Sequence, residues 1–268
     1  MDILTHALSG MAVATCAVTF TKGKALRKAK VIFTGALGGL LPDIDAVSMW
    51  SRFDSTFGAL FNLSDTGRVI YGSKFWYSHH AFFHSLLASV LIGALIILLV
   101  YMFRHISSKK KLSFSSFIQN HFIYFVVFVL GYWAHLAGDL PTPSSVWGGI
   151  AFLWPSDDYI GGSGNIWWWN NYDIFLLIFC CIVINLIMPT ISKRIRANKK
   201  VFTSVVLFVT LVLILVQVNT RQYDYAYKGN TTKYAEMEQN SKKEQERILG
   251  KKLYRLMDRF DRSMKFHF

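Results

Sequence analysis

The stretch Phe82-Phe-His-Ser-Leu-Leu-Ala-Ser-Val-Leu-Ile-Gly-Ala-Leu-Ile-Ile-Leu-Leu-Val-Tyr-Met-Phe103 contains no Asp, Glu, Lys or Arg, and its one histidine, His84, stands near its start. Lipid offers the backbone no hydrogen-bond partner, so an apolar run of this kind is stable there only as a helix. About 17–25 such residues cross the roughly 30 Å of hydrocarbon. Residues 122–136, 175–191 and 201–218 are three further blocks of the same character. Two more are interrupted. Residues 4–20 carry His6, Ser9, Thr15 and Thr19, and residues 31–46 are Gly-rich and end in Pro42, Asp43 and Asp45. The expectation is an all-α, polytopic transmembrane bundle of about six hydrophobic helices, four uninterrupted and two interrupted. The interrupted pair are tilted spans or helices packed on the bundle.

Of the 268 residues, 53% are hydrophobic, above the 45–50% usual for a soluble chain. The net charge of +13 would suggest a nucleic-acid partner in a soluble protein. Here the basic residues flank the apolar blocks, so the bilayer is the expected partner and no nucleic acid is expected. Cys16, Cys180 and Cys181 all lie in apolar blocks and suggest neither a disulfide framework nor a zinc knuckle. The first block has Asp2 where a secretory leader has a basic region, so it reads as a retained segment.

The basic clusters also set an orientation. Lys22, Lys24, Arg27, Lys28 and Lys30 follow the first block. Arg104, Lys109, Lys110 and Lys111 follow the third, and Lys193, Arg194, Arg196, Lys199 and Lys200 follow the fifth. Positive loops stay in the cytoplasm, which puts residues 47–78 and the Lys- and Arg-free residues 141–171 on the outer side with both termini. On this arrangement His6, Asp43, Asp45, His79, His80, His84, His135 and Asp139 all come to the outer face. Ionisable groups at membrane depth are costly and mark functional sites. Residues 1–220 form the expected membrane unit. Residues 221–268 form a polar tail in which Leu249, Leu253, Leu256 and Phe260 recur at helical spacing, as an amphipathic helix packed on the outer loops or lying on the membrane surface.

His135-Leu-Ala-Gly-Asp139 sets an imidazole and a carboxylate on one helix face. The pair can hold one divalent ion, or Asp139 can orient a ligand imidazole. Leu140-Pro-Thr-Pro143 then ends the helix. In Pro42-Asp-Ile-Asp45, an extended backbone would point the carboxylates to opposite sides and leave one of them as a ligand. In Ser78-His-His-Ala-Phe-Phe-His-Ser85, His80 and His84 chelate if a helix covers both, and His79 with His84 if His79 precedes it. Such a mixed His/Asp set suits zinc or manganese better than calcium, and without cysteine at this face it is of the hydrolytic type. No Gly-x-Ser-x-Gly elbow or phosphate-binding Gly-Lys loop competes with it. Trp147, Trp154 and Trp167–Trp169 read as an interfacial belt.

Met1-Asp-Ile-Leu-Thr-His6, Leu41-Pro-Asp-Ile-Asp45, the run from His79 to Ser85, the run from His135 to Pro143, and Leu153-Trp-Pro155 follow one another in an order that resembles the YdjM-like family of LexA-regulated, membrane-bound, metal-dependent hydrolases. The family pattern is Thr-His, Pro-Asp-Ile-Asp, His-Arg-Gly-x-Thr-His-Ser, His-x-x-x-Asp-x-x-Thr-Pro and Leu-Trp-Pro. The resemblance covers about residues 1–155. Position by position it nominates His6, Asp43, Asp45, His79, His84, His135 and Asp139 as metal ligands. It favours His79 over His80, because His80 stands where the family has Arg; Ala81 replaces Gly and Phe83 replaces Thr. A guanidinium able to bind an anionic substrate is thereby absent. A more distant similarity is to zinc-dependent phospholipase C and related single-strand nucleases, which implies phosphoester hydrolysis.

The resulting expectation is a membrane-bound, zinc- or manganese-dependent phosphoesterase, with Asp43 or Asp45 as ligand or general base. It would act on a lipid or other phosphoester at the outer face of the bacterial cytoplasmic membrane, and the resemblance places it in the SOS response. Two other classes compete. An ion- or proton-coupled transporter would need polar groups at midplane, where spans three to six have no charges. A non-catalytic membrane protein with a structural metal would show metal-dependent stability without turnover.

Overall fold

The computed structural model describes residues 1–107, 113–229 and 233–264. Lys109, Lys110 and Lys111 of the second basic cluster lie outside the described residues. Among these residues the regular structure is helical, and six helical segments are long and apolar enough to cross a membrane.

α1 (Ile3–Ala17) and α2 (Ala25–Leu40) form an antiparallel pair, and α2 continues into a tight three-residue-per-turn helix over Leu41–Met49. The sixteen residues of α2 rise only about 24 Å, short of the hydrocarbon thickness, so the Leu41–Met49 turn completes the crossing. α3 (Gly67–Tyr71) is a single short helical turn. α4 (Leu86–Ser107) and α5 (Phe114–Asp139) follow, then α6 (Tyr172–Ile191), the short α7 (Lys193–Ala197) and α8 (Lys199–Asn219). α9 (Tyr234–Ser263) bends at Gly250, whose φ is 71°.

The core of the bundle is α1, α2 and α5, with α6 on the far side of α1. Membrane helices gain no hydrophobic drive from contact with one another, and small residues let their backbones approach. α2 supplies these residues. A Cβ on Gly35 would collide with the Ala14 side chain and the Gly10 carbonyl of α1, and one on Gly39 would collide with the His6 carbonyl. On α5, Gly131 rests on the Gly35 carbonyl.

The tail does not dock by its leucines. Ser241, Glu244 and Gln245 are the buried residues of α9's first half, whereas Leu253 and Leu256 remain exposed. Gln245 donates to Asp173 at 2.9 Å, and Asp173 is paired with Arg221 at 2.9 Å, both side chains buried. Tyr172 donates to Asp261 at 2.8 Å. The segment is helical, as the spacing of Leu249, Leu253, Leu256 and Phe260 predicts; Met257 is its buried apolar anchor, and polar groups at the start of α6 hold the rest. These polar groups are needed there because a helix N-terminus leaves backbone donors unpaired, and the Asp173 amide donates to Gln245 at 3.0 Å.

Candidate metal centre

Each chemistry-bearing side chain is aimed by local structure. Asp2 caps α1, accepting from the Thr5 amide at 2.8 Å and the Thr5 hydroxyl at 2.7 Å, which fixes the first turn and turns His6 toward α5. The His6 ring stacks on that of His135, centroids 3.6 Å apart. Glycine makes this closeness feasible. Gly39 brings the α2 backbone against His6, and the Gly39 carbonyl accepts from His135 Nδ1 at 2.8 Å. That hydrogen bond leaves His135 Nε2 with its lone pair free.

Pro42 ends α2, but the chain winds on tightly instead of extending. The expectation that Asp43 and Asp45 point to opposite sides of a strand is corrected, because three residues per turn sends them to different parts of one site. Asp43 Oδ1 lies 3.6 Å from both His84 Nε2 and His135 Nε2. Asp45 lies between two histidines: Oδ1 accepts from His79 Nδ1 at 2.7 Å, and Oδ2 lies 3.2 Å from His84 Nδ1 without an aligned hydrogen bond.

No helix covers His80 and His84. His84 closes a short turn, Phe82–His84, and α4 begins only at Leu86. His80 sits in the left-handed region with φ 64°, where its Nδ1 donates to the Gly149 carbonyl at 3.0 Å and its own carbonyl accepts from Ala151 at 2.8 Å. The segment after α5 therefore clamps the histidine turn. The Leu86 amide donates to the Phe152 carbonyl at 3.0 Å, and Trp154 packs on Phe82 with ring centroids 4.9 Å apart. The Tyr132 hydroxyl of α5 donates to the Phe83 carbonyl.

Four donor atoms then converge. His84 Nε2 and His135 Nε2 are 3.3 Å apart, and Asp139 Oδ2 is 3.0 Å from His135 Nε2 and 3.6 Å from His84 Nε2. Asp43 Oδ1 completes the group. Ligands around zinc at 2.0–2.2 Å have edges of about 3.3–3.6 Å, and Asp43, His84 and His135, 3.3–3.6 Å apart, form a group of that spacing with Asp139 beside both imidazoles. His135 turns Nδ1 to the Gly39 carbonyl and His84 turns Nδ1 toward Asp45, so the two Nε2 atoms face each other across 3.3 Å. Such a pair can share a proton or bind a metal ion. Burial disfavours the charge on His84, but Asp45 and Asp43 outweigh it and push the pKa up to about 10.

Unsatisfied polar atoms agree with that fit. His6 Nδ1 and Nε2, His84 Nδ1, Asp45 Oδ2 and Asp139 Oδ2 are buried without an aligned hydrogen bond. His6 Nε2 lies 3.0 Å from Asp139 Oδ1, close in distance but out of line, and the Met1 amine donates to that oxygen at 2.9 Å. Buried polar atoms are rarely left in this state without a reason such as an ion. His6, His135 and Asp139 form a second group able to hold an ion, and His79, His80 and His84 a third.

All seven nominated residues thus fall in one cluster. Asp43 and Asp139 each lie within 3.6 Å of both His84 and His135, His6 joins through Asp139 and the His135 ring, and Asp45 and His79 lie behind His84. Sequence reading missed three contributors. The Gly39 carbonyl has no side-chain signature. Tyr71 stacks on His79 at 4.5 Å, and nothing in its surroundings in the chain sets it apart. Trp147 is buried against His79 and His80 and donates to the Tyr71 carbonyl at 2.8 Å, so it is a wall of the site and not part of a lipid-facing belt. His80, buried and with its pKa driven well down by burial and by its histidine neighbours, stands with the site rather than outside it.

Comparison with known proteins gives one family. Searches of curated proteins and of solved structures returned no match. The family model of the YdjM inner membrane protein matches residues 1–222, which contain all six candidate spans and every residue of the cluster. The chain therefore belongs to the YdjM inner membrane protein family and is a multi-pass inner-membrane protein.

Proposed function

We propose that this chain is a metal-dependent hydrolase, a zinc-type phosphoesterase acting at the outer face of the cytoplasmic membrane. The observation that carries the reading is the ligand spacing of Asp43 Oδ1, His84 Nε2 and His135 Nε2, with Asp139 Oδ2 within 3.6 Å of both imidazoles and buried polar atoms around them unsatisfied. These four residues would hold the ion, and His6 lies beside them through Asp139. When bound, zinc or manganese supplies Lewis-acid polarisation of the scissile group and acidifies water. The protein's own groups do the rest. Asp45 and the Gly39 carbonyl orient His84 and His135. Asp43, with 16% of its side chain exposed against 0–4% for the other three, is the carboxylate placed to take the proton of the attacking water. Lys22 to Lys30, Arg104 and Lys193 to Lys200 support a cytoplasmic location for the opposite end of the bundle. Residues 1–220 form the hydrolase-like unit and 221–268 an appended tail.

The near-complete burial of His84, His135 and Asp139 favours one second reading, a structural ion that holds α1, α2 and α5 together. The test is hydrolysis of bis(p-nitrophenyl) phosphate by purified, zinc- or manganese-loaded protein. Turnover that a chelator abolishes, added metal restores and His84→Ala lacks supports the hydrolase. Full metal occupancy with no turnover, together with a melting temperature that falls on chelation, supports the structural ion.

A further inference from the structure

Beside the His/Asp cluster lies a cavity of about 550 Å³, within the range of small-molecule sites. Its wall includes Ile44, Val47, Phe57, Ile70 and Trp76, and is apolar almost throughout. Two lining residues connect it to the cluster. Asp45 lies 3.2 Å from His84 Nδ1, and Phe83 immediately precedes His84. The segment that builds the wall runs between the end of α2 and the start of α4, beside the ends of two candidate spans. Around the cavity it exposes Ile44, Leu60, Phe61 and Trp76. Large apolar side chains exposed together there fit lipid and not water.

We infer that this cavity receives one hydrocarbon chain of the substrate, which is therefore a membrane amphiphile whose polar head reaches Asp43 and His84 from the lipid side. The inference rests on the hydrolytic reading of the same site. A water-soluble ester gains nothing from an apolar wall of this size, whereas a buried chain gains roughly 25 cal/mol for each Å² removed from water. The concave shape and the continuity with Asp45 distinguish the cavity from the outward faces of the spans, which meet lipid without enclosing it.

The test uses the full chain in vesicles of phosphatidylethanolamine and phosphatidylglycerol, with a fraction of the phosphatidylglycerol carrying a diazirine at the end of one acyl chain. After illumination, adducts are mapped by peptide mass spectrometry and bound metal is measured on the same samples. The expected result is adducts concentrated between residues 44 and 83. They fall roughly tenfold in Val47→Trp, which fills the cavity, with metal per chain unchanged. Ile44→Trp fills it from another position, so the answer does not depend on one variant folding. Adducts spread evenly over the six spans, or unmoved by both variants, would overturn the proposal. So would a dimer in wild type that both variants dissociate, since a second copy would then occupy the cavity. Cavity adducts in a protein that binds no metal would support the chain site and remove the hydrolytic reading. Metal-dependent turnover of a soluble ester with no cavity adducts would do the reverse.

Discussion

The spans of this protein fall into two groups. α1, the α2 span and α5 have 44%, 44% and 39% of their windows buried, whereas α4 and α8 have 17% and 11%. The buried group is also the less hydropathic, interrupted by glycine, serine, threonine and the site residues. The lipid-facing group is richer in Leu, Ile, Val and Phe. Lipid selects for apolar surface all round, while helix contacts select for small residues and tolerate polar ones that find partners. The three least hydropathic spans are thus the three most buried and carry most of the cluster, while α6, as apolar as α8, stands between the groups at 33% buried.

Gly39→Val attacks that contrast at its strongest point. A branched side chain at Gly39 meets the His6 carbonyl directly and should force α1 and α2 apart, at about 3 kcal/mol. The expected outcome is a lower melting temperature together with loss of bound metal, read by thermal melting and elemental analysis. A variant that melts like wild type and keeps its metal would break the claim that glycine packing builds the site.

Asp45→Asn sharpens the account within the buried group. It preserves shape but removes the charge that orients His79 and His84. Metal affinity, measured by competition with a chelating dye, should fall by roughly 10–100-fold while the melting temperature of the metal-free protein changes far less. Equal loss in Asp45→Asn and Asp43→Asn would place Asp45 among the direct ligands instead.

Phe208→Ala tests the other group. Phe208 is 66% exposed on α8, so stability and metal content should stay within about 0.5 kcal/mol and experimental error of wild type. A large loss would mean that α8 packs against something other than lipid.

The reading from sequence reached the spans and picked out residues that the fold gathers together, because both are written in side chains. Four apolar blocks and two interrupted ones became the six candidate spans, and the His and Asp of four separated segments met in one cluster. What the sequence left unread lies in the backbone and in tertiary contact. The Gly39 carbonyl that orients His135 carries no residue signature. The tight winding of Leu41–Met49 past Pro42 depends on the contacts of Asp43 and Asp45 with histidines 34 and more residues away. Trp147 carries the same sequence signal as an interfacial tryptophan until its neighbours Tyr71 and His79 are known. For the tail, the apolar stripe left packing on the outer loops and membrane-surface contact both open, and Asp173 and Gln245 add an attachment through charge and hydrogen bonding that the stripe does not signal.

The central claim is that His84, His135, Asp43 and Asp139 hold a divalent ion. Elemental analysis of detergent-purified wild type beside His135→Ala and Asp139→Ala tests it most directly. The account predicts stoichiometric zinc or manganese in the wild type and its loss in both variants. Wild-type protein without metal after purification in zinc-supplemented buffer, and as stable as the two variants, would contradict it.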